Sequence, residues 1–68
     1  MSNVQSIERA LTILNKLSEY PNGLQVTRLS EQVGLTKSTV HRLLTTLSNM
    51  NYVVKDEETD KYKLGLQI

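Results

Sequence analysis

The 68-residue sequence contains no cysteine, no tryptophan and no phenylalanine, and it has one proline and one histidine. Without cysteine the chain forms no disulfide and no cysteine-ligated metal site, which agrees with a reducing cytoplasm. A single histidine without any cysteine leaves no set of nucleophile, base and orienting group for catalysis. We therefore expect a protein that is not an enzyme and that holds no cofactor and no metal.

Long hydrophobic runs are also missing. No apolar run approaches the roughly 20 residues that span a bilayer, and the N-terminus lacks the basic and apolar segments of a signal peptide. A chain of this length buries only about 60% of its unfolded-state surface, so it has no room for an enclosed ligand cavity. The sequence predicts a soluble cytoplasmic protein of one small domain, without a membrane partner.

The net charge is only +1, from eight lysines and arginines against seven acidic residues. This is weak support for a nucleic-acid partner, because domains that bind nucleic acids are usually more basic. However, four of the acidic residues crowd one short segment, at Asp56, Glu57, Glu58 and Asp60. The rest of the chain is therefore more basic than the total indicates.

The stretch from Gly34 to Leu44 predicts a turn followed by an amphipathic helix. Gly34 can adopt the left-handed conformation that ends a preceding helix, and Thr36 can cap the next helix through its hydroxyl group. A helix over about residues 37–50 then has an apolar stripe at the spacing that a helix requires. The stripe consists of Val40, Leu43, Leu44 and Leu47.

The opposite face of this helix contains hydrogen-bond donors and no carboxylate, which suits the phosphates and base edges of DNA. It consists of Lys37, Ser38, His41, Arg42, Thr45 and Asn49. A solvated helix surface would explain the face equally well. The preceding segment favours DNA, because Val26, Leu29 and Val33 predict a short helix before the glycine turn. Two such helices form a helix-turn-helix unit, whose second helix normally reads the DNA.

Another apolar stripe predicts a first helix, which ends near Tyr20 and has Ser6 as its best placed N-cap, with Asn3 as the alternative. The stripe consists of Ile7, Ala10, Leu11, Leu14 and Leu17. Proline and glycine in the segment 21–23 end this helix. Leu24 and Gln25 after it can form a very short strand.

The segment after the third helix predicts a hairpin. Residues 52–55 and 61–64 are β-prone and are joined by the acidic segment. Asn51 is suited to a left-handed position just after the helix. The predicted fold is mainly α with a small β-hairpin, a winged helix-turn-helix of three helices plus a wing.

Three groups of residues carry a specific resemblance. They are Ser6-Ile7-Glu8-Arg9-Ala10-Leu11 with Ile13-Leu14, then Gly34-Leu35 with Lys37-Ser38-Thr39-Val40-His41-Arg42-Leu43-Leu44 and Thr46-Leu47, then Tyr62 with Leu64-Gly65. Together they resemble the N-terminal domain of IclR-type bacterial transcriptional regulators over nearly the whole chain. Asn51 departs from the pattern, because the family usually has glycine there.

The resemblance implies that residues 1–65 are the operator-reading domain of a transcriptional repressor or activator. Such regulators bind palindromic operators in double-stranded DNA as homodimers or tetramers, and they sense a small-molecule effector through a larger C-terminal domain. Residues 66–68 are similar to the start of the linker to that domain, so we expect a DNA-binding domain excised from a longer chain. A naturally short protein is the alternative, although the apolar Leu66 and Ile68 need something to pack on.

The predicted DNA contacts centre on Arg42, whose guanidinium can donate two parallel hydrogen bonds to O6 and N7 of guanine. A surface ion pair is the alternative, but no carboxylate lies three or four residues away on the same helix. Thr36, Lys37, Ser38 and Thr39 surround the first turn of the helix, where free N–H groups favour phosphate. Thr39 could equally pack or cap the helix.

Further contacts are predicted beside these. His41 can donate to a phosphate or a base, whereas metal binding would need a second ligand at a suitable spacing, which the sequence does not have. Thr45 lies further along the same face, where we expect contact with the DNA backbone or water. Gln25 and Thr27 begin the second helix, which crosses the DNA backbone in helix-turn-helix proteins. Arg28 can assist them, although a solvated arginine is the default.

In the wing, the sign of the charges decides which residues approach DNA. The acidic tip would be repelled from a minor groove, so we expect it to stay out. Lys55, Lys61 and Lys63 on the flanking strands can bind phosphates, each of which steepens the salt dependence of binding by roughly one log–log unit. Tyr62 is expected in the core.

A winged-helix module for protein interaction or dimerisation is the alternative function. The apolar breadth of the first helix, with Ile13 outside the main stripe, is compatible with a partner surface. Binding to duplex DNA that weakens steeply with salt discriminates between the two functions.

Overall fold

The computed structural model describes residues 2–65, with side chains from residue 4 onward. The elements are α1 (Ser2–Ser18), α2 (Val26–Val33), α3 (Lys37–Asn49), β1 (Val53–Asp56) and β2 (Lys61–Leu64). Three helices followed by an antiparallel hairpin, which we call the wing, confirm the predicted winged helix-turn-helix. Residues 66–68, where we expect the start of a linker, lie outside the described residues.

Helix α1 begins earlier than its sequence indicated. It begins at Ser2, so Ser6 lies in its second turn and the prediction that Ser6 is the N-cap is wrong. A helix that continues past a potential cap satisfies its backbone groups internally, so the cap has no function there.

The buried face of α1 also differs from the predicted stripe. Ile13 and Leu17 are fully buried, whereas the side chains of Ile7 and Leu11 are 59% and 53% exposed. Leu17 and the half-buried Ala10 and Leu14, which pack against the core, confirm one side of the predicted stripe, whereas its members Ile7 and Leu11 do not pack there. Apolar residues occupy both faces, and contact with α2, α3 and β2 decides which of them is buried.

The turn between α2 and α3 has the predicted geometry. Gly34 adopts φ 72°, and its N–H donates to the carbonyl of Ser30 at 2.9 Å. Thr36 caps α3, because its hydroxyl oxygen accepts the N–H of Thr39 at 3.3 Å. Behind the turn, Leu29 of α2 and Val40 of α3 are fully buried in the core, and the two helices pack against each other.

The wing is attached to the helices at its base. Leu24 forms an isolated bridge with Tyr62, in which each N–H donates to the other residue's carbonyl, at 2.9 and 2.8 Å. Gly23, at φ 90°, precedes this bridge, and a Cβ added there would lie 2.8 Å from the carbonyl oxygen of Tyr62. The bridge confirms the short extended segment predicted at Leu24. It also places Tyr62 in the core, as expected.

Asn51 confirms the left-handed position predicted after the third helix, with φ 68°. The N–H of Tyr52 then donates to the carbonyl of Leu47 at 2.9 Å, which closes the end of α3. Asparagine tolerates this conformation better than other non-glycine residues, so the departure from glycine leaves the backbone geometry intact.

Candidate nucleic-acid interface

The polar side of α3, which we call the reading face, is exposed in the structure. Its members are Lys37, Ser38, His41, Arg42, Thr45 and Asn49. No carboxylate occurs anywhere in α3. Among the residues that the structure describes, the salt bridges join Lys16 to Glu19 and Lys55 to Asp60, so neither of them involves Arg42.

The reading face has two flanks with different neighbours. His41 and Arg42 are consecutive residues and therefore point about 100° apart around the helix. Arg42 borders an open, mostly apolar groove of about 410 Å³ between α1 and α3, with Ile7 and Met50 on its other sides. His41 instead points toward α2 and the wing. The strongest predicted base contact thus lies on the α1 side of the face, away from the wing.

A second depression, which we call the wing cleft, lies between the start of α2, the reading face and the hairpin. It is open and has a volume of about 270 Å³. The residues that line it are Gln25, Val26, Thr27, His41, Lys55, Asp60 and Tyr62. The fold therefore brings four of the predicted DNA contacts together although they are distributed over three elements of the sequence.

The start of α2 opens onto the wing cleft. Gln25 is the N-cap residue of α2, and its side chain makes no capping hydrogen bond. The first N–H groups of a helix have no partner within the helix and attract anions, with support from the helix dipole. Lys55 and His41 lie across the cleft, together with the carboxylate of Asp60. We call this end of α2 the candidate phosphate seat.

The three wing lysines lie on opposite sides of the hairpin. Lys55 pairs with the buried Tyr62 and therefore points to the side of the helices, where its Nζ lies 5.9 Å from the Tyr62 ring centroid. Lys61 pairs with Asp56 and Lys63 with Val54, which places both lysines on the other side of the hairpin. The sequence analysis predicts the same phosphate-binding function for all three lysines, but the structure places Lys55 on the opposite side of the hairpin from Lys61 and Lys63.

Two contacts at the wing tip, residues 57–60, were not anticipated. Nε2 of Gln25 donates to the carbonyl of Thr59 at 2.9 Å. Asp60 adopts a left-handed φ of 60° and lies in the wing cleft, where its Oδ1 is 3.7 Å from Nζ of Lys55. The unusual glutamine at an N-cap was the sequence signal that could have indicated the first contact. The contact between Asp60 and Lys55 depends on the geometry of the turn, and no sequence pattern indicated it.

The remaining predicted residues occupy distinct positions. The hydroxyl of Thr36 also donates to the hydroxyl of Thr39 at 3.0 Å, so the two side chains are joined at the start of α3. The hydroxyl of Thr45 donates to the carbonyl of His41 at 2.9 Å, within the helix. Arg28 is exposed on α2 and is not among the residues that line the wing cleft.

The described part of the chain has neither a metal-binding cluster nor a membrane-spanning helix. Within residues 2–65, no group of three or more histidine, cysteine, aspartate or glutamate side chains could hold a metal ion. Over the same residues, no helix combines the length and the apolar character that crossing a membrane requires.

Comparison with known proteins gives one consistent result. The sequence matches the IclR helix-turn-helix domain over residues 6–57. It is 43% identical to the HTH-type transcriptional regulator XynR of Escherichia coli K12, over 100% of this chain and 27% of XynR. It is 47% identical to the DNA-binding transcriptional repressor YiaJ of the same strain, over 88% of this chain and 21% of YiaJ.

A solved structure agrees with these relatives. The crystal structure of an IclR transcriptional regulator from Alicyclobacillus acidocaldarius matches with a TM-score of 0.85 and 31% identity, over 90% of this chain and 25% of that chain. The chain spans about a quarter of the length of these proteins. All three are transcriptional regulators, the class of protein that the resemblance to IclR-type regulators implies.

Proposed function

The chain belongs to the IclR helix-turn-helix family, and on this basis we propose that it reads specific operator sequences by inserting α3 into the major groove of double-stranded DNA. The observation that carries the proposal is the exposed reading face without a carboxylate, bordered by the wing cleft onto which the start of α2 opens. In helix-turn-helix proteins the second helix reads base edges while the first crosses the backbone. The positions of α3 and α2 agree with these two functions.

Within this proposal, Arg42 supplies most of the sequence discrimination. Its guanidinium is exposed and has no ion pair in the described chain, so it can donate both N–H groups to one guanine. Lys37, Ser38 and Thr45 on the same face contact bases or nearby phosphates. Thr36 and Thr39 contribute by holding the first turn of α3 toward the DNA.

Phosphate binding is assigned to the elements around α3. Thr27 at the start of α2, with His41 and Lys55 across the wing cleft, holds one backbone phosphate. Lys61 and Lys63, on the other side of the hairpin, contact the backbone only where the DNA passes beyond the wing. Arg28 adds long-range attraction. Phosphate contacts fix position and orientation, whereas base contacts determine sequence preference.

The intact regulator is proposed to be longer than this chain. Residues 1–65 serve as its operator-binding domain, and the relatives, about four times as long, leave room for a C-terminal domain that binds a small-molecule effector. We propose a homodimer or tetramer that binds a palindromic operator as a repressor or activator in the cytoplasm, since a palindrome presents two equivalent half-sites to a symmetric protein.

The test is selection of duplexes from a random library, followed by fluorescence anisotropy on the selected duplex and a scrambled one across a salt series. We expect tighter binding to the selected duplex and a log–log salt slope that reflects several phosphate contacts. Equal affinity for both duplexes would reject operator reading.

A protein-interaction or dimerisation module is the second candidate function. The side chains of Val4, Ile7 and Leu11 are each more than half exposed on one side of α1, and Met50 borders the adjacent groove. Such a patch favours burial against another chain. Sedimentation velocity of the wild type and Leu11→Glu distinguishes this function: self-association that the charge abolishes, without any duplex binding, would favour it.

A further inference from the structure

Gln25 stands at a helix N-cap but does not cap the helix. Serine, threonine, aspartate and asparagine are the preferred residues at this position, because their short side chains reach the N–H groups of the first turn. The side chain of Gln25 instead extends away from α2, and its Nε2 donates to the carbonyl of Thr59, 34 residues later, at 2.9 Å. A residue that breaks a local rule is expected to have a function elsewhere in the structure.

Within residues 2–65, the other hydrogen bonds of the wing tip stay inside the hairpin. The N–H of Glu58 donates to the side chain of Asp56 at 2.9 Å, and the N–H of Asp60 donates to the carbonyl of Asp56 at 2.7 Å. The bridge between Leu24 and Tyr62 secures the base of the wing, not its tip. Among the described residues, the bond from Gln25 is therefore the hydrogen bond that joins the tip to the helices.

This bond determines where the charged groups of the wing cleft lie. Thr59 directly precedes Asp60, and Asp60 contacts Lys55 at 3.7 Å. Movement of Thr59 would move the carboxylate, and with it the ammonium group that faces the start of α2. We propose that Gln25 is a positioning residue, which fixes the wing tip against α2 and so places Lys55 at the candidate phosphate seat. The effect of Gln25 on DNA binding rests on the proposed function, whereas its effect on the position of the wing tip does not.

The first test uses the protein without DNA and compares two variants. Gln25→Met keeps the length of the side chain and removes the donor. Thr27→Val alters another side chain at the start of α2 that lines the same cleft. We expect the ¹H–¹⁵N heteronuclear NOE of the amides of residues 57–60 to fall in Gln25→Met and to stay at the wild-type value in Thr27→Val, with α3 unchanged in both. Wild-type NOE values at the tip of Gln25→Met would overturn the proposal.

The second test is a double-mutant cycle on duplex DNA that combines Gln25→Met with Lys55→Gln. If Gln25 acts through the wing, Gln25→Met changes the affinity for DNA several-fold in the wild type, because Lys55 and the competing Asp60 both move, and changes it less than twofold in the Lys55→Gln background. An equal, multiplicative loss in both backgrounds would instead show that Gln25 binds phosphate itself and would overturn the positioning function. If the wild type does not bind duplex DNA, the proposed function fails while the NOE comparison still decides the position of the wing.

Discussion

Asp60 lies 3.7 Å from Lys55, so the wing lysine that faces the start of α2 is already paired with a carboxylate. Both side chains are more than one third exposed, which makes the pair weak as a source of stability. Its effect falls instead on any anion that enters the wing cleft, because a phosphate must compete with Asp60 for the lysine. The pair thus opposes phosphate binding at the position where α2 favours it.

We expect Asp60→Asn to bind duplex DNA more tightly than the wild type. Asparagine retains the left-handed conformation of residue 60 and removes the competing charge. Affinity for the selected and the scrambled duplex should both rise several-fold, and the log–log salt slope should steepen by up to about one unit. Anisotropy titrations at four salt concentrations measure both quantities.

Glu57→Gln is the matched control, because Glu57 is an exposed acid of the same turn that does not line the wing cleft. Glu57→Gln should raise the affinity for duplex DNA only slightly, because it removes a negative charge that acts on the DNA from a distance. Equal gains from the two variants would show that the contact between Asp60 and Lys55 has no special effect.

We expect Arg42→Ala and Lys61→Ala to weaken DNA binding in different ways. Loss of Arg42 should remove about 1–3 kcal/mol of discrimination at one base pair, with a smaller effect on the scrambled duplex. Loss of Lys61 should weaken both duplexes alike and reduce the salt slope by about one unit. Competition titrations with single-base variants of the selected duplex measure the difference. The assignment of Arg42 to base reading is wrong if both variants preserve the preference.

Gly34→Ala should lower the free energy of unfolding by about 1–2 kcal/mol, because alanine is strained at φ 72°. A Cβ at this position would have open space around it, so the cost comes from the backbone conformation alone. Urea denaturation measures it. Gly34→Asn should lose less, because asparagine adopts this conformation more readily. Equal losses for alanine and asparagine would contradict this explanation.

Gly23→Ala should be more damaging than Gly34→Ala. It combines a positive φ of 90° with a contact of 2.8 Å between the new Cβ and the carbonyl oxygen of Tyr62, and that carbonyl belongs to the bridge with Leu24. We expect a larger loss of unfolding free energy, with changes in amide chemical shifts at Leu24 and Tyr62. A loss no greater than that of Gly34→Ala would mean that the backbone there moves aside.

Ile13→Val and Ile7→Val make the same chemical change on the two faces of α1. Ile13 is fully buried, so removing one methylene group should cost about 0.5–1.5 kcal/mol. Ile7 is 59% exposed, and its substitution should stay within about 0.5 kcal/mol. Urea denaturation of both variants decides which face packs in solution, and a larger loss at Ile7 would favour the stripe that the sequence suggested.

The features that depend on neighbouring residues could be predicted from the sequence. Gly34 and Thr36 determine the turn and the start of α3 through their own backbone and hydroxyl groups. The period of Val40, Leu44 and Leu47 then identified the buried side of α3, and so its polar side. These interactions span at most a few residues, and local patterns record them well.

The features that depend on contacts between distant residues could not be predicted from the sequence. Apolar residues lie on two sides of α1, so periodicity could not tell that Ile13 packs and Ile7 does not. Gln25 finds its partner 34 residues away, and the separation of Lys55 from Lys63 depends on the hairpin register. Each requires the tertiary arrangement, which the sequence pattern does not contain.

The bridge between Leu24 and Tyr62 also limits how this domain can be recombined with its relatives. A two-stranded hairpin is marginal by itself, and this one is completed by residues that precede α2. The unit that behaves as a wing is therefore discontinuous, with residues 23–25 and 53–64 as its two parts. A chimaera that exchanges only residues 53–64 would place the hairpin of one protein against residues 23–25 of another. A chimaera that exchanges both parts would keep the hairpin together with the residues that bind it.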